Sequence, residues 1–314
     1  MESNFTTLMK RYWLLFFFII VFIFMAIFKI SFRDIWMAVS SLRLWQFVLL
    51  LFIYLLISLF QIISRKYLLH SLFSPSKLKN LVFIHFSSMA AHYSTPAKIG
   101  FPLAVYLLNK FDNVPYSSGT TMILIELIVS TTICGIIAFV GTFFYFTSNT
   151  KVLVLSFSYL FIFGLLAFYG MRVFLKKGNE NSRTYLFIKN VHEAFSHITV
   201  YNLNIYIFLI VFIQLLSGIT LVLLTSFFSK EISLWQAVVA NSTAFFLGAI
   251  SMIPMGLGVR EASILFYLKH LRITNEIGIS IVTIQRLFST GLSFALGVIF
   301  GSILGVRHIK EDSI

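Results

Sequence analysis

The chain has 314 residues, 59% of them hydrophobic and only 11% charged, with 37 phenylalanines and a net charge of +13. Such a composition lies outside the soluble globular range and describes an integral membrane protein. In a chain of this kind the excess of Lys and Arg reflects loops facing anionic lipid, which leaves nucleic acid out as a partner, and a lone Cys134 rules out an internal disulfide or a cysteine metal cluster.

A crossing helix needs about 20 mostly apolar residues. That template predicts spans at 12–30, 44–64, 118–146, 152–174, 205–228 and 277–305. The first follows Lys10-Arg11 and is itself followed by Lys29 and Arg33, with no small-residue exit, so it reads as an uncleaved span. Two further apolar segments, 81–109 and 234–268, are interrupted at mid-length by "YSTPAKIGF" (93–101) and "MIPMGLGVR" (252–260). Neither side of either break is long enough to cross, so each segment is predicted to be a re-entrant hairpin of two half-helices. Pro96 and Gly100 stand four apart, as do Pro254 and Gly258 a constant 158 residues later. This is the signature of an internal repeat. In the connection 172–204, Phe187, Val191, Phe195 and Ile198 recur at helical spacing with Arg183, Lys189 and Glu193 between them, which fits a helix in the headgroup layer or an ordinary covering loop. No polar stretch is long enough for a second domain. The expectation is a single all-α, polytopic transmembrane domain over 1–314.

Placing the N-terminus inside, with neither hairpin crossing, puts 14 Lys and Arg in inside loops, Arg65 and Lys66 among them, and 7 in outside loops. This bias favours cytoplasmic termini in a cytoplasmic membrane. The two hairpins then dip from opposite faces, an inverted repeat of the type that surrounds a midplane site.

Five ionisable residues fall at membrane depth: Lys98, Glu126, Arg260, Glu261 and Arg286. Each costs roughly 2.5 to 3.5 kcal/mol at a helix centre, so they must pair or line a watery cavity. Pro254 ends one half-helix, Gly256 and Gly258 allow positive φ, and a second half-helix is predicted from about Val259, its free N–H groups and Arg260 forming an anion site. Thr95-Pro96 has the form of an N-cap followed by proline at the first helical position, with Lys98 in the first turn. An Arg260–Glu261 ion pair, a snorkelling Lys98 and a static Glu126–Arg286 bridge are the purely structural alternatives. His85 and His92 share a helix face without the further ligands a metal needs.

The stretch "IPMGLGVREA" (253–262) followed by "QRL" (285–287) resembles the lysylphosphatidylglycerol synthase transmembrane region, a flippase-like family, and "STPAKIG" (94–100) resembles that family's other Pro-Gly element. The resemblance covers about residues 10–305. It implies a protein that moves a polar-headgroup lipid between leaflets, with Pro254, Gly256, Gly258, Arg260, Glu261 and Arg286 matching the motif. Phe101, where the family usually has an acidic residue after Gly100, departs from it.

The leading expectation is therefore translocation of an anionic phospholipid or polyprenyl-phosphate lipid, with Lys98, Arg260, Glu261, Arg286 and Glu126 lining the path and Pro96, Gly100, Pro254, Gly256 and Gly258 forming the breaks. No cofactor or metal is expected. There is no P-loop, so coupling would be passive or to an ion gradient, with Glu126 and Glu261 as proton carriers. The alternatives are a glycosyltransferase using a polyprenyl-phosphate sugar, with Asp34 as its outer acidic residue, or an accessory partner of envelope-biosynthesis enzymes.

Overall fold

The structure, a computed structural model, describes residues 40, 42–94, 99–145, 183–251, 253 and 256–311. The predicted spans 12–30 and 152–174, together with Asp34, Thr95, Pro96, Lys98 and Pro254, lie outside them. No strand occurs among the described residues. The helices are α1 (Leu44–Ser71), α2 (Leu78–Ser94), α3 (Gly100–Asp112), α4 (Tyr116–Tyr145), α5 (Arg183–Ser196), α6 (Val200–Phe227), α7 (Leu234–Ile250), α8 (Val259–His270), α9 (Asn275–Arg286) and α10 (Leu292–Glu311), the last two joined by a π-helical turn at Leu287–Gly291. Four stretches are long and apolar enough to cross a membrane: Leu44–Ser71, Tyr116–Phe144, Val200–Phe227 and Asn275–Leu304. The chain is a multi-pass membrane protein.

Residues 44–145 and 200–311 form two matching runs. α1 and α6 have 28 residues each and α2 and α7 have 17 each. α3 has 13 and α8 has 12. The connections match as well. Phe73 and Ser229 leave α1 and α6 with φ of 53° and 55°, while Asn113 and Arg272 leave α3 and α8 with φ of 54° and 61°. Each left-handed residue turns the chain so that the next N–H reaches back over the helix end. Ser74 N donates to Leu69 O at 2.9 Å and Lys230 N to Thr225 O at 3.0 Å, which satisfies carbonyls that the helix termini leave open. At the N-terminal ends, the Thr199 side chain caps α6, and Ser233 with Gln236 forms a reciprocal capping box on α7.

The runs point in opposite directions. α1 and α6 pack side by side with Trp45 against Phe227, Phe60 against Phe212, and Tyr67 donating to Asn202 Oδ1 at 2.8 Å, so the start of one helix lies at the end of the other. The tightest packing then crosses between runs, α2 against α10 and α7 against α4. Glycines permit both approaches: a Cβ on Gly297 would sit 2.4 Å from Phe86 O, and one on Gly141 would sit 2.1 Å from Val239 Cγ2.

In each run a helix pair doubles back. Asn80, at the start of α2, donates to Asp112 Oδ1 at 2.6 Å at the end of α3, where Ser76 also donates to Asp112. At the opposite end Gly100 is pressed against α2 so closely that a Cβ would lie 2.2 Å from Ser88 O and 2.7 Å from His92 N. In the second pair Thr243 meets Tyr267 at 3.1 Å and Gly248 meets Arg260. The apolar core divides accordingly. One cluster surrounds α2–α3 and contains Ile84, Leu108, Met122 and Tyr206; the other surrounds α7–α8 and contains Val239, Ile264, Leu268 and Ile281.

Two sequence expectations need correction. α1 runs on to Ser71, so Arg65 is a buried helical residue, 4% exposed, and no loop cation. α3 starts at Gly100 with Ile99 as its N-cap, four residues beyond Pro96, and Gly100 serves close approach to α2. α5 is helical, as one of the two readings of this connection had it, with Tyr185, Val191 and Ala194 buried and Phe187 facing outward. The helix packs on α4, where Thr121 donates to Val191 O at 3.4 Å.

Candidate functional site

A cavity of about 310 Å³ lies between the two helix pairs. His92, Tyr93 and Phe101 reach it from the tip of α2–α3, and Gly248, Gly256, Arg260 and Glu261 from the tip of α7–α8. α4 contributes Glu126, and α9 contributes Gln285 and Arg286. The structure thus brings four of the five predicted ionisable residues to one cavity, while Lys98 lies outside the described residues.

Their pairing differs from the expected one. Glu126 does not bridge to Arg286. Arg65 grips it instead, Nε donating to Oε2 and Nη2 to Oε1, both at 2.9 Å. Arg65 Nη1 also meets His85 Nδ1 at 3.1 Å; because guanidinium only donates, Nδ1 accepts and the imidazole proton sits on Nε2. Arg286 pairs with Glu261 through Nε and Oε1 and donates from Nη1 to Thr290 Oγ1 at 3.3 Å. Thr290 belongs to the π turn, whose widened winding directly after Arg286 is a backbone feature common at functional positions. The Arg260–Glu261 local pair does not form either.

Arg260 is held without a charged partner. Its stem lies against Gly248 and Gly256, where a Cβ on Gly248 would come within 2.7 Å of its Cγ and one on Gly256 within 3.1 Å, and its guanidinium stands 4.9 Å from the centre of the Phe245 ring. Gly256 and Gly258 have φ of 62° and 79°, as the predicted sharp turn requires, and α8 begins at Val259 as expected. Arg260 hydrogen-bonds to no described residue, and its Nε is shut off from solvent. Glu261 Oε2 and Gln285 Oε1 are in the same condition. A buried polar atom without a partner costs about 1–3 kcal/mol, so these three atoms weigh against the stability of the cluster.

Arg65, Phe245 and Gly248 escape sequence reading, while Asn241 enters it only as a polar residue suited to an interhelical hydrogen bond and Gln285 only as part of "QRL". The repeat offers the one available signal. At the offset of 156 that relates α2 to α7, His85 corresponds to Asn241, and at the offset of 159 that relates α4 to α9, Glu126 corresponds to Gln285. Both pairs make the same inter-helix link. Arg65 joins His85 to Glu126 in the first run, and Gln285 Nε2 donates directly to Asn241 Oδ1 at 3.0 Å in the second. Asn241 Nδ2 in turn donates to Ser217 O at 2.7 Å.

The family model of the lysylphosphatidylglycerol synthase TM region matches residues 12–297. The chain belongs to this family. The match takes in both helix pairs and every cavity residue named above, and places this member of the lysylphosphatidylglycerol synthase TM-region family among membrane proteins of lipid and envelope processes. No curated protein matches the chain.

Proposed function

We propose that the protein moves a lipid with an anionic phosphate headgroup across the cytoplasmic membrane. In this reading α2–α3 and α7–α8 are re-entrant hairpins that enter from opposite faces. Helices of 17, 13, 17 and 12 residues measure about 18–26 Å at 1.5 Å per residue, short of a hydrocarbon core of about 30 Å. The antiparallel runs then form an inverted repeat, the architecture that alternates access to a central site by rocking one half against the other.

The observation that carries the reading is Arg260: a guanidinium at the start of α8, lying in a slot of two glycines under a Phe ring, facing a cavity and bonded to no described side chain. A phosphate oxygen is the natural partner of such a group at a helix N-terminus. The cavity, at about 310 Å³, lies at the lower end of the ligand-site range of roughly 300–1,000 Å³. That suits a headgroup whose tails remain in the bilayer. Glu126 has both oxygens engaged by Arg65 and acts as a clamp. Glu261, with one oxygen unengaged, is the better placed of the two carboxylates to carry a proton.

The test is exposure of a fluorescent phospholipid to an external quencher in proteoliposomes. The intact protein should speed exposure over empty vesicles. Arg260→Ala should slow it about tenfold or more, the effect of losing one charged hydrogen bond, and Arg260→Lys should restore part of the rate. A rate equal to that of empty vesicles for every phospholipid tried rejects the proposal.

A further inference from the structure

We infer that the π turn at Leu287–Gly291 is a hinge. On it α10, carrying the α2–α3 pair, swings against the rest of the molecule and so sets the width of the cavity. The inference concerns motion and holds whichever molecule the cavity takes.

The turn stands where one span changes packing partners. Before it, Ile281, Ile284 and Phe288 are buried in the cluster around α7–α8, and Gly278 lies against Leu265 of α8. After it, Leu296 and Phe300 pack on the cluster around α2–α3, Phe300 stacks on Phe86 with ring centres 5.4 Å apart, and Gly297 abuts the α2 backbone. Leu292, the first residue past the turn, touches both clusters. With α9 fixed to the second helix pair and α10 to the first, a relative movement of the two pairs falls on the turn between them. α4 makes the same passage between clusters, from Ile125 to Ile137, as one unbroken helix. Of the two matching spans, one is a strut and the other has a joint.

The winding of the joint is loose for chemical reasons. Leu292 N–H donates to Leu287 O, the longer reach of a π turn. Ser293 Oγ donates to Ser289 O at 2.6 Å, a side-chain bond of the kind that competes with the backbone ladder and bends helices. Gly291 completes the turn, and packing does not demand it. An added Cβ there would meet nothing nearer than Leu287 Cδ1 at 3.4 Å, an ordinary contact, whereas Gly297 on the same span has no room for one. A glycine with no steric duty contributes backbone freedom, the property that makes it a poor helix former.

Side chains that line the cavity tie the joint on both sides. Ser293 has spent its one proton on Ser289 O, so Tyr54 of α1 donates to Ser293 Oγ, at 2.7 Å. Arg286, paired with Glu261 of α8, donates to Thr290 Oγ1 at 3.3 Å. Tyr54, Arg286, Ser289 and Ser293 border the same cavity as His92 and Phe101 of the α2–α3 tip. A swing of α10 therefore carries that tip toward or away from Arg260 and Arg286.

The test reads distances between spin labels in the intact protein by double electron–electron resonance. With Cys134 replaced by alanine, labels at exposed Ile303 of α10 and exposed Ile128 of α4 measure across the joint, and labels at Ile303 and exposed Tyr106 of α3 measure within the moving unit. The first pair should give a broad or two-peaked distribution and the second a narrow one. Gly291→Ala, which the structure accommodates, should collapse the first distribution to a single peak and leave the second unchanged. Tyr54→Phe, which frees the turn from α1, should broaden the first further. A single narrow peak for the first pair in the parent protein, a broad one that survives Gly291→Ala, or equal breadth in both pairs overturns the hinge. Lipid flux is measured on the same variants. Distances that narrow in Gly291→Ala while flux stays at the parent rate, or is absent from both, uphold the hinge and count against translocation by this swing.

Discussion

Arg65 shows what a single side chain does when hydrocarbon surrounds it. Both oxygens of Glu126 and one nitrogen of His85 meet its guanidinium, so three helices converge on one cation. Removing one partner of a buried pair strands the other, at a cost of about 3–5 kcal/mol, whereas replacing both with apolar or neutral groups is often close to neutral. Arg65→Met should accordingly lower the thermal midpoint in detergent by many degrees, and the double variant Arg65→Met, Glu126→Gln should recover most of the loss. Equal destabilisation in both would show that the pair is not what holds these helices. Nothing in the sequence reveals this residue. A twenty-residue apolar window closes at 64 and leaves Arg65 looking like a loop cation, because its burial depends on a carboxylate 61 positions away. That Glu126 and Arg286 sit well inside long helical stretches was legible, but the direction in which each side chain leaves its helix was not. The two line one cavity and bond to different partners.

Among the elements, the turn into α8 was the most legible part of the fold, since glycine at positive φ acts on the backbone whatever surrounds it. Gly256 and Gly258 fulfil the φ requirement read from "MGLG". Gly248 carried no such signal, because a glycine inside an apolar helix looks like any small residue until its neighbour is known. The two pairs respond differently to an added methyl group. On Gly248 it meets Arg260, a side chain able to move into the cavity. Gly248→Ala should therefore fold with near-native thermal stability and lose translocation to the same extent as Arg260→Ala. On Gly100 it meets backbone atoms of Ser88 and His92, which cannot yield without opening the pair. Gly100→Ala should cost about 1–3 kcal/mol of stability as an overpacked site. Melting curves and flux measured on the same preparations separate the outcomes, and a stable, active Gly248→Ala would place Arg260 outside the lipid path.

For the whole molecule, the internal repeat was visible from two breaks at constant spacing, yet its opposite sense was visible only through loop charges, an indirect signal. The packing of α1 on α6 supplies the direct one, with Trp45 beside Phe227 and Tyr67 beside Asn202. It puts the turns at Phe73 and Ser229 at opposite ends of the molecule, and both residues are exposed. With Cys134 replaced by alanine, Phe73→Cys and Ser229→Cys should each react with an impermeant maleimide from one side of the membrane only, and from different sides. Labelling of both from the same side would contradict the antiparallel arrangement.

The cross-packing of α2 on α10 and of α7 on α4 has a consequence for how the chain is made. A ribosome delivers α2 long before the helix that covers it exists, so the first half emerges with its doubled-back pair unclasped and its Gly297 partner still unsynthesised. Each half completes the other's core, and neither should persist alone: split between α4 and α6, the two fragments ought to be degraded when expressed singly and survive only when produced together.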